Sequence, residues 1–103
     1  MKNAVQKGAQ PPVKPLFPLG RLHATPGALQ ALAEAKAAWS DYVQRHVTGD
    51  WTAMAPEDMA ENWRALLHGD RVFSAYRLST GQKIWVITEA DRSATTLLLP
   101  EEY

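Results

Sequence analysis

The apolar residues of this chain change period at Arg71, and that change limits the possible folds more than any other feature. Upstream they recur every three or four residues: Leu29, Leu32 and Ala33, then Tyr42, Val43 and Val47, then Met59, Trp63, Leu66 and Leu67. Such spacing marks one buried face on each of three helices. Downstream the pattern alternates. In "RVFSAYRL", Val72, Ser74, Tyr76 and Leu78 share one side, and Arg71, Phe73, Ala75 and Arg77 share the other. "KIWVITE" and "ATTLLLP" are β-like runs, joined by "STGQ" and "EADRS" as connections. This order predicts an α+β domain: N-terminal helices packed on one face of a C-terminal three-stranded antiparallel β-meander. "GRLHAT" reads as one more short strand.

Local signals set the boundaries. Thr25 is placed to cap a helix whose first residue is Pro26, where a missing N–H costs nothing. Ser40 is a candidate cap for the second helix, with Gly49 as its stop. Pro56, Glu57 and Asp58 open the third in agreement with the helix dipole, and Gly69 closes it. Four of the seven prolines fall before Leu19. Residues 1–15 are therefore read as a disordered or extended Pro-rich arm, and 16–103 as a single α+β domain.

Eleven basic residues balance eleven acidic ones, and the pI is about 6.8. That balance argues against nucleic acid as the partner, since such binding rests on neutralising several phosphates. Cysteine is missing, so disulfides and thiolate chemistry are excluded. No run of apolar residues suggests a membrane span or a secretion signal, and a cytoplasmic location is expected. No glycine-rich phosphate loop is present, and no cofactor is expected. His23, His46, His68, Asp50 and Asp58 lack metal-ligand spacing, so no metal site is expected either.

Three stretches carry candidate chemistry. In "TEADRS", Glu89 can act as a base while Arg92 steadies an anion; Asp91 followed by Ser93 is equally good turn chemistry. In "HVTGDW", His46 and Asp50 form a candidate acid–base pair, although a capped helix end with Trp51 folded over it accounts for the same residues. Arg77 and Tyr76 belong to the first long strand. The catalytic candidates are thus Glu89, Arg92, His46 and Arg77. The binding candidates are Asp50, Trp51, Tyr76, Asp91 and Tyr103, since aromatic and arginine side chains dominate interface energetics.

From "PLFPLG" onward the chain is similar to a family of small, uncharacterised proteins carried on bacterial plasmids and integrative elements. The residues that carry the similarity are "ATPGAL", "RHVTGDW", "EDMAEN", "SAYRL", "KIWVITEADRS" and "TTLLLPEEY". Thr52 stands where a glycine is common in that family. Some members bear a restriction-modification label, but a methyltransferase needs a glycine-rich strand–turn–helix that this chain lacks. The resemblance implies a mobile-element setting and a compact α+β domain. The expected function is an accessory protein, anti-defence in character, that binds a host or element-encoded protein. The alternative is a small RNase-like or toxin-like enzyme using charged residues on the sheet face.

Overall fold

The computed structural model describes residues 14–51 and 53–103. Most of the N-terminal arm, and Thr52, lie outside the described residues. The fold is α+β: β1 (Arg21–Ala24), α1 (Pro26–Glu34), α2 (Trp39–Val47), α3 (Pro56–His68), β2 (Val72–Arg77), β3 (Lys83–Thr88) and β4 (Ala94–Leu98). A short 3-10 turn, Pro100–Glu102, follows.

The helix boundaries obey the local rules. The Thr25 hydroxyl accepts a hydrogen bond from the Ala28 N–H at 3.1 Å, and Pro26 is the first residue of α1. Gly69 closes α3 in the left-handed conformation at φ 74°. Ser40 is not a cap: α2 begins one residue earlier, at Trp39, and Ala38 precedes it without a side-chain bond.

The sheet departs from the expected meander. Its order is β1-β4-β3-β2, with β2–β3 and β3–β4 antiparallel and β1 parallel to β4. "RLHA" is therefore a fourth strand, and the sheet is mixed. Gly20 makes this pairing possible. It sits at φ 66°, and a Cβ there would lie 2.3 Å from the backbone of Ser93. Only a residue without a side chain can come so close, and only such a residue adopts this φ freely. The Arg21 N–H then donates to the Ser93 carbonyl at 2.9 Å and starts the parallel ladder.

The helices do not all lie on one face. α1 and α2 cover the side bearing Tyr76, Ile84, Val86 and Leu97, where Ala28, Leu32 and Val43 complete the larger core cluster. A second cluster joins Phe17, Val47, Trp51, Ala65 and Val72. α3 runs instead beside β2, the edge strand. It buries only Asn62 and Ala65 fully, leaving Trp63 50 % and Leu67 82 % exposed. The expected Met59–Trp63–Leu66–Leu67 face is thus only partly used, because a helix beside a strand edge meets far less surface than one lying across a sheet.

The β3–β4 connection is tight. The Glu89 N–H donates to the Ala94 carbonyl, the Arg92 N–H to the Glu89 carbonyl, and the Ser93 N–H to the Asp91 carboxylate. Beyond β4 the chain folds back. The Glu102 carboxylate accepts from the Leu99 N–H at 2.8 Å and from the Thr25 hydroxyl, at the start of α1. These bonds hold its pKa below the ordinary carboxylate value. Leu97, Leu98 and Leu99 are all buried. Burying each such side chain is worth about 1.5–3 kcal/mol, a large share of the roughly 5–15 kcal/mol that stabilises a typical domain. Truncation after Thr96 should abolish cooperative thermal unfolding; a melt within a degree or two of the full chain would show the last strand to be dispensable.

Candidate functional site

The inward face of the sheet carries three hydroxyls in positions that alternation assigns to the core: Ser74, Thr88 and Thr95, all completely buried. α2 drops His46 among them, also completely buried. Its Nδ1 lies 2.6 Å from the Ser74 hydroxyl and its Nε2 2.8 Å from that of Thr88. Thr88 and Thr95 hydroxyls are 2.6 Å apart, and Thr95 donates to the Leu19 carbonyl at 2.8 Å. That final carbonyl can only accept, so it fixes the protons back to Nε2: Thr95 must accept from Thr88, and Thr88 from the His46 Nε2–H. Burial keeps the ring neutral, and Nδ1 then accepts from the Ser74 hydroxyl. Burial, and then the Arg92 cation, push the His46 pKa down to about 3. Phe17 packs edge-on against the ring at 5.3 Å between centroids.

This arrangement separates residues that the sequence had placed together. His46 and Asp50 are not a pair: Asp50 accepts from Arg45 Nε at 3.0 Å, while His46 faces the sheet. As a base for an external substrate His46 has no access, being shut off from solvent with both nitrogens engaged. Trp51 is 1 % exposed; its indole N–H donates to the His46 carbonyl at 3.1 Å, and Trp63 packs on it at 5.1 Å. Tyr76 is also buried, and its hydroxyl donates to the Asp50 carbonyl at 3.1 Å. Burial raises its pKa to about 12. The Arg45 guanidinium carbon lies 4.6 Å from the centre of its ring.

Arg92 is bound into the fold as well. It adopts the left-handed backbone conformation, φ 61°. Its guanidinium donates to the carbonyls of Asp70 at 2.7 Å, Glu89 at 3.1 Å and Ala90 at 3.3 Å. A weaker bond to Ala65, at 3.4 Å, reaches the end of α3. A cation suits the end of a helix, where carbonyl oxygens project. Asp91, held by the Ser93 hydroxyl and N–H, has its pKa lowered. Glu89 is exposed and offers Arg92 only its carbonyl. Glu89, Arg92, His46 and Arg77 do not meet in one cleft.

The outward face of the sheet is partly covered: Ile87 and Leu98 on it are buried, whereas Arg77 and Lys83 are exposed. Register places Arg21, His23, Phe73, Arg77, Lys83 and Trp85 there, with no carboxylate at any strand position of that side. Phe73 and Trp85 meet edge to face with centroids 5.0 Å apart, and Tyr103 packs on Trp85 at 5.7 Å. Arg71 hydrogen-bonds the Tyr103 hydroxyl. A cleft of about 310 Å³ opens between the β2 edge and the turn before α3, bounded by Met54, Asp58, Ala75, Arg77 and Lys83. Another, of about 370 Å³, continues beyond Phe73 along α3.

Among the described residues, no group of three or more His, Asp or Glu side chains is placed to hold a metal ion. No described helix is long and apolar enough to cross a membrane. No protein-family profile, no curated protein and no solved structure matches the chain.

The buried histidine makes stability depend on pH in a defined direction. Unfolded, His46 takes up a proton below its ordinary value of 6.5; folded, it resists protonation down to about 3. The unfolded state therefore binds more protons throughout that interval, and stability falls as pH falls. Between pH 7.5 and 5 the expected loss is about 2 kcal/mol. Asp91 and Glu102 contribute only nearer their ordinary values of 3.8 and 4.5. Denaturation midpoints of the parent should decline across pH 7.5–5, whereas His46→Gln, though less stable, should give a nearly flat profile. An equal decline in both proteins would remove His46 as the cause.

Proposed function

We propose that the protein is a non-enzymatic binding module that docks on another protein through the outward face of its sheet. The observation that supports this most is that the cations of the strands all fall on one face. In a chain of zero net charge, the strand positions of one face hold Arg21, Arg77, Lys83 and His23 and no acid, beside Phe73 and Trp85. Cations and aromatic rings on a half-open face suit a partner with an acidic surface, through both steering and contact. The partner is a host or element-encoded protein, met in the cytoplasm. The resemblance to plasmid and integrative-element proteins supplies the setting of an accessory, anti-defence factor. Against the catalytic alternative weigh the burial of His46 and the commitment of Arg92 to carbonyl oxygens. An RNase needs a base and a cation that reach one phosphate together.

The test is a pull-down with the full chain from bacterial lysate, followed by identification of the captured protein. A partner recovered near stoichiometry by the parent and by Glu89→Gln should be lost about tenfold or more by the Arg77→Glu/Lys83→Glu variant, with its circular dichroism unchanged. Equal recovery by the double variant would rule out this face. Cleavage of labelled RNA by the pure protein, lost on Glu89→Ala, would favour the enzyme instead.

A further inference from the structure

Deepening that reading, on which it rests, we infer that the edge of β2 takes up an acidic, extended peptide segment of the partner as a fifth strand. The argument starts at Asn62. Its side-chain amide donates to the Phe73 carbonyl at 2.6 Å and accepts from the Phe73 N–H at 3.0 Å. Both backbone groups of Phe73 therefore point away from β3, and Asn62 satisfies them as a neighbouring strand would. In an antiparallel ladder this orientation recurs at every second residue. The β2–β3 register is unbroken from Val72↔Thr88 to Arg77↔Lys83. The N–H and C=O of Ala75 and Arg77 thus also point outward, past the end of the Asn62 amide. They face the cleft of about 310 Å³ that Ala75 and Arg77 themselves line. An unpaired strand edge is a template for a further strand.

Charge identifies the occupant. Arg77 and Lys83 stand directly opposite each other across β2 and β3, and both are exposed. Among the described residues the ion pairs are Arg45–Asp50 and Arg64–Glu61, so neither cation is held in an ion pair; Arg77 donates only to the Gly81 carbonyl, at 2.9 Å, and Asp58 is the one carboxylate among the described residues lining the cleft. Like charges in register destabilise a sheet, and a carboxylate delivered beside them removes that penalty. A segment paired with Ala75 and Arg77 turns alternate side chains to the outward face, where acids meet Arg77 and Lys83. The intervening side chains turn towards Met54 and Ala53, where small or apolar residues fit.

The probe is a blocked heptapeptide alternating glutamate and valine, compared with its lysine-for-glutamate counterpart. On titration into the full chain, the acidic peptide should bind saturably and slow amide hydrogen exchange at Ala75 and Arg77 by about tenfold; the lysine peptide should do neither. Ala75→Pro removes an outward N–H while leaving the β2–β3 ladder intact, a substitution that edge strands tolerate. It should keep the fold and weaken peptide binding about tenfold. If that variant fails to fold, the exchange measurement on the parent decides alone. Lack of binding at millimolar peptide, binding without protection at Ala75 and Arg77, or unchanged binding by folded Ala75→Pro would each overturn the inference. So would protection of those amides on concentrating the protein alone, which assigns the edge to a second copy. Should strand addition fail while the Arg77→Glu/Lys83→Glu variant still loses its captured partner, the docking face stands and only its mode of use is wrong.

Discussion

His46 satisfies both ring nitrogens only if Ser74 on β2 and Thr88 on β3 stand diagonally across the strand pair beneath α2. Thr88 in turn needs Thr95 on β4, and Thr95 needs the Leu19 carbonyl just before β1. Protons run through this series in a single direction, so one misplaced strand leaves a buried donor or acceptor without a partner, at about 1–3 kcal/mol each. Leucines and valines on the same face can slide past one another with modest loss. Hydroxyls and an imidazole cannot. The polar seam lies where the two apolar clusters adjoin: Thr88 is in register with Val72 of one, and Ser74 with Val86 of the other. It therefore aligns the helical layer with the sheet as well as strand with strand.

Much of the charged chemistry near the core is occupied with similar work. Arg92 ties the β3–β4 turn to the end of α3, Glu102 ties the last turn to the start of α1, and Asp50 joins Arg45 beside Tyr76. Each is a polar fastening between elements distant in sequence. Such groups are satisfied by backbone or by one another, so they are poor candidates for handling a substrate. The outward face differs because its cations are left without carboxylates in the strands around them.

The three helices and the last three strands were legible because their signals are local: Pro26, Pro56 and Gly69 act within a turn, and alternation acts within a strand. β1 was only faintly visible because four residues carry little pattern and its partner β4 lies almost at the other end of the chain. The exposed side of α3 was misjudged because helical spacing reveals an apolar stripe without saying what lies against it. Tyr76 was assigned to binding although it shares a phase with Val72 and Ser74, and that phase proved to be the core. The signal for the His46 seam was also present. Three hydroxyl residues occupy inward positions on three strands, and buried hydroxyls require a partner. No single motif holds them, so a search by motif passes over them.

The parallel pairing of β1 with β4 orders assembly in time. β2, β3 and β4 follow one another through short connections and can zip together as soon as they exist, since little chain entropy is lost in closing each turn. β1 precedes them in the chain yet has no strand to pair with until β4 has been synthesised. Gly20 can meet Ser93 only after the turn that contains Ser93 has closed. Of the described strands, the earliest in the chain therefore cannot pair until the latest exists, and without it β4 presents an open edge.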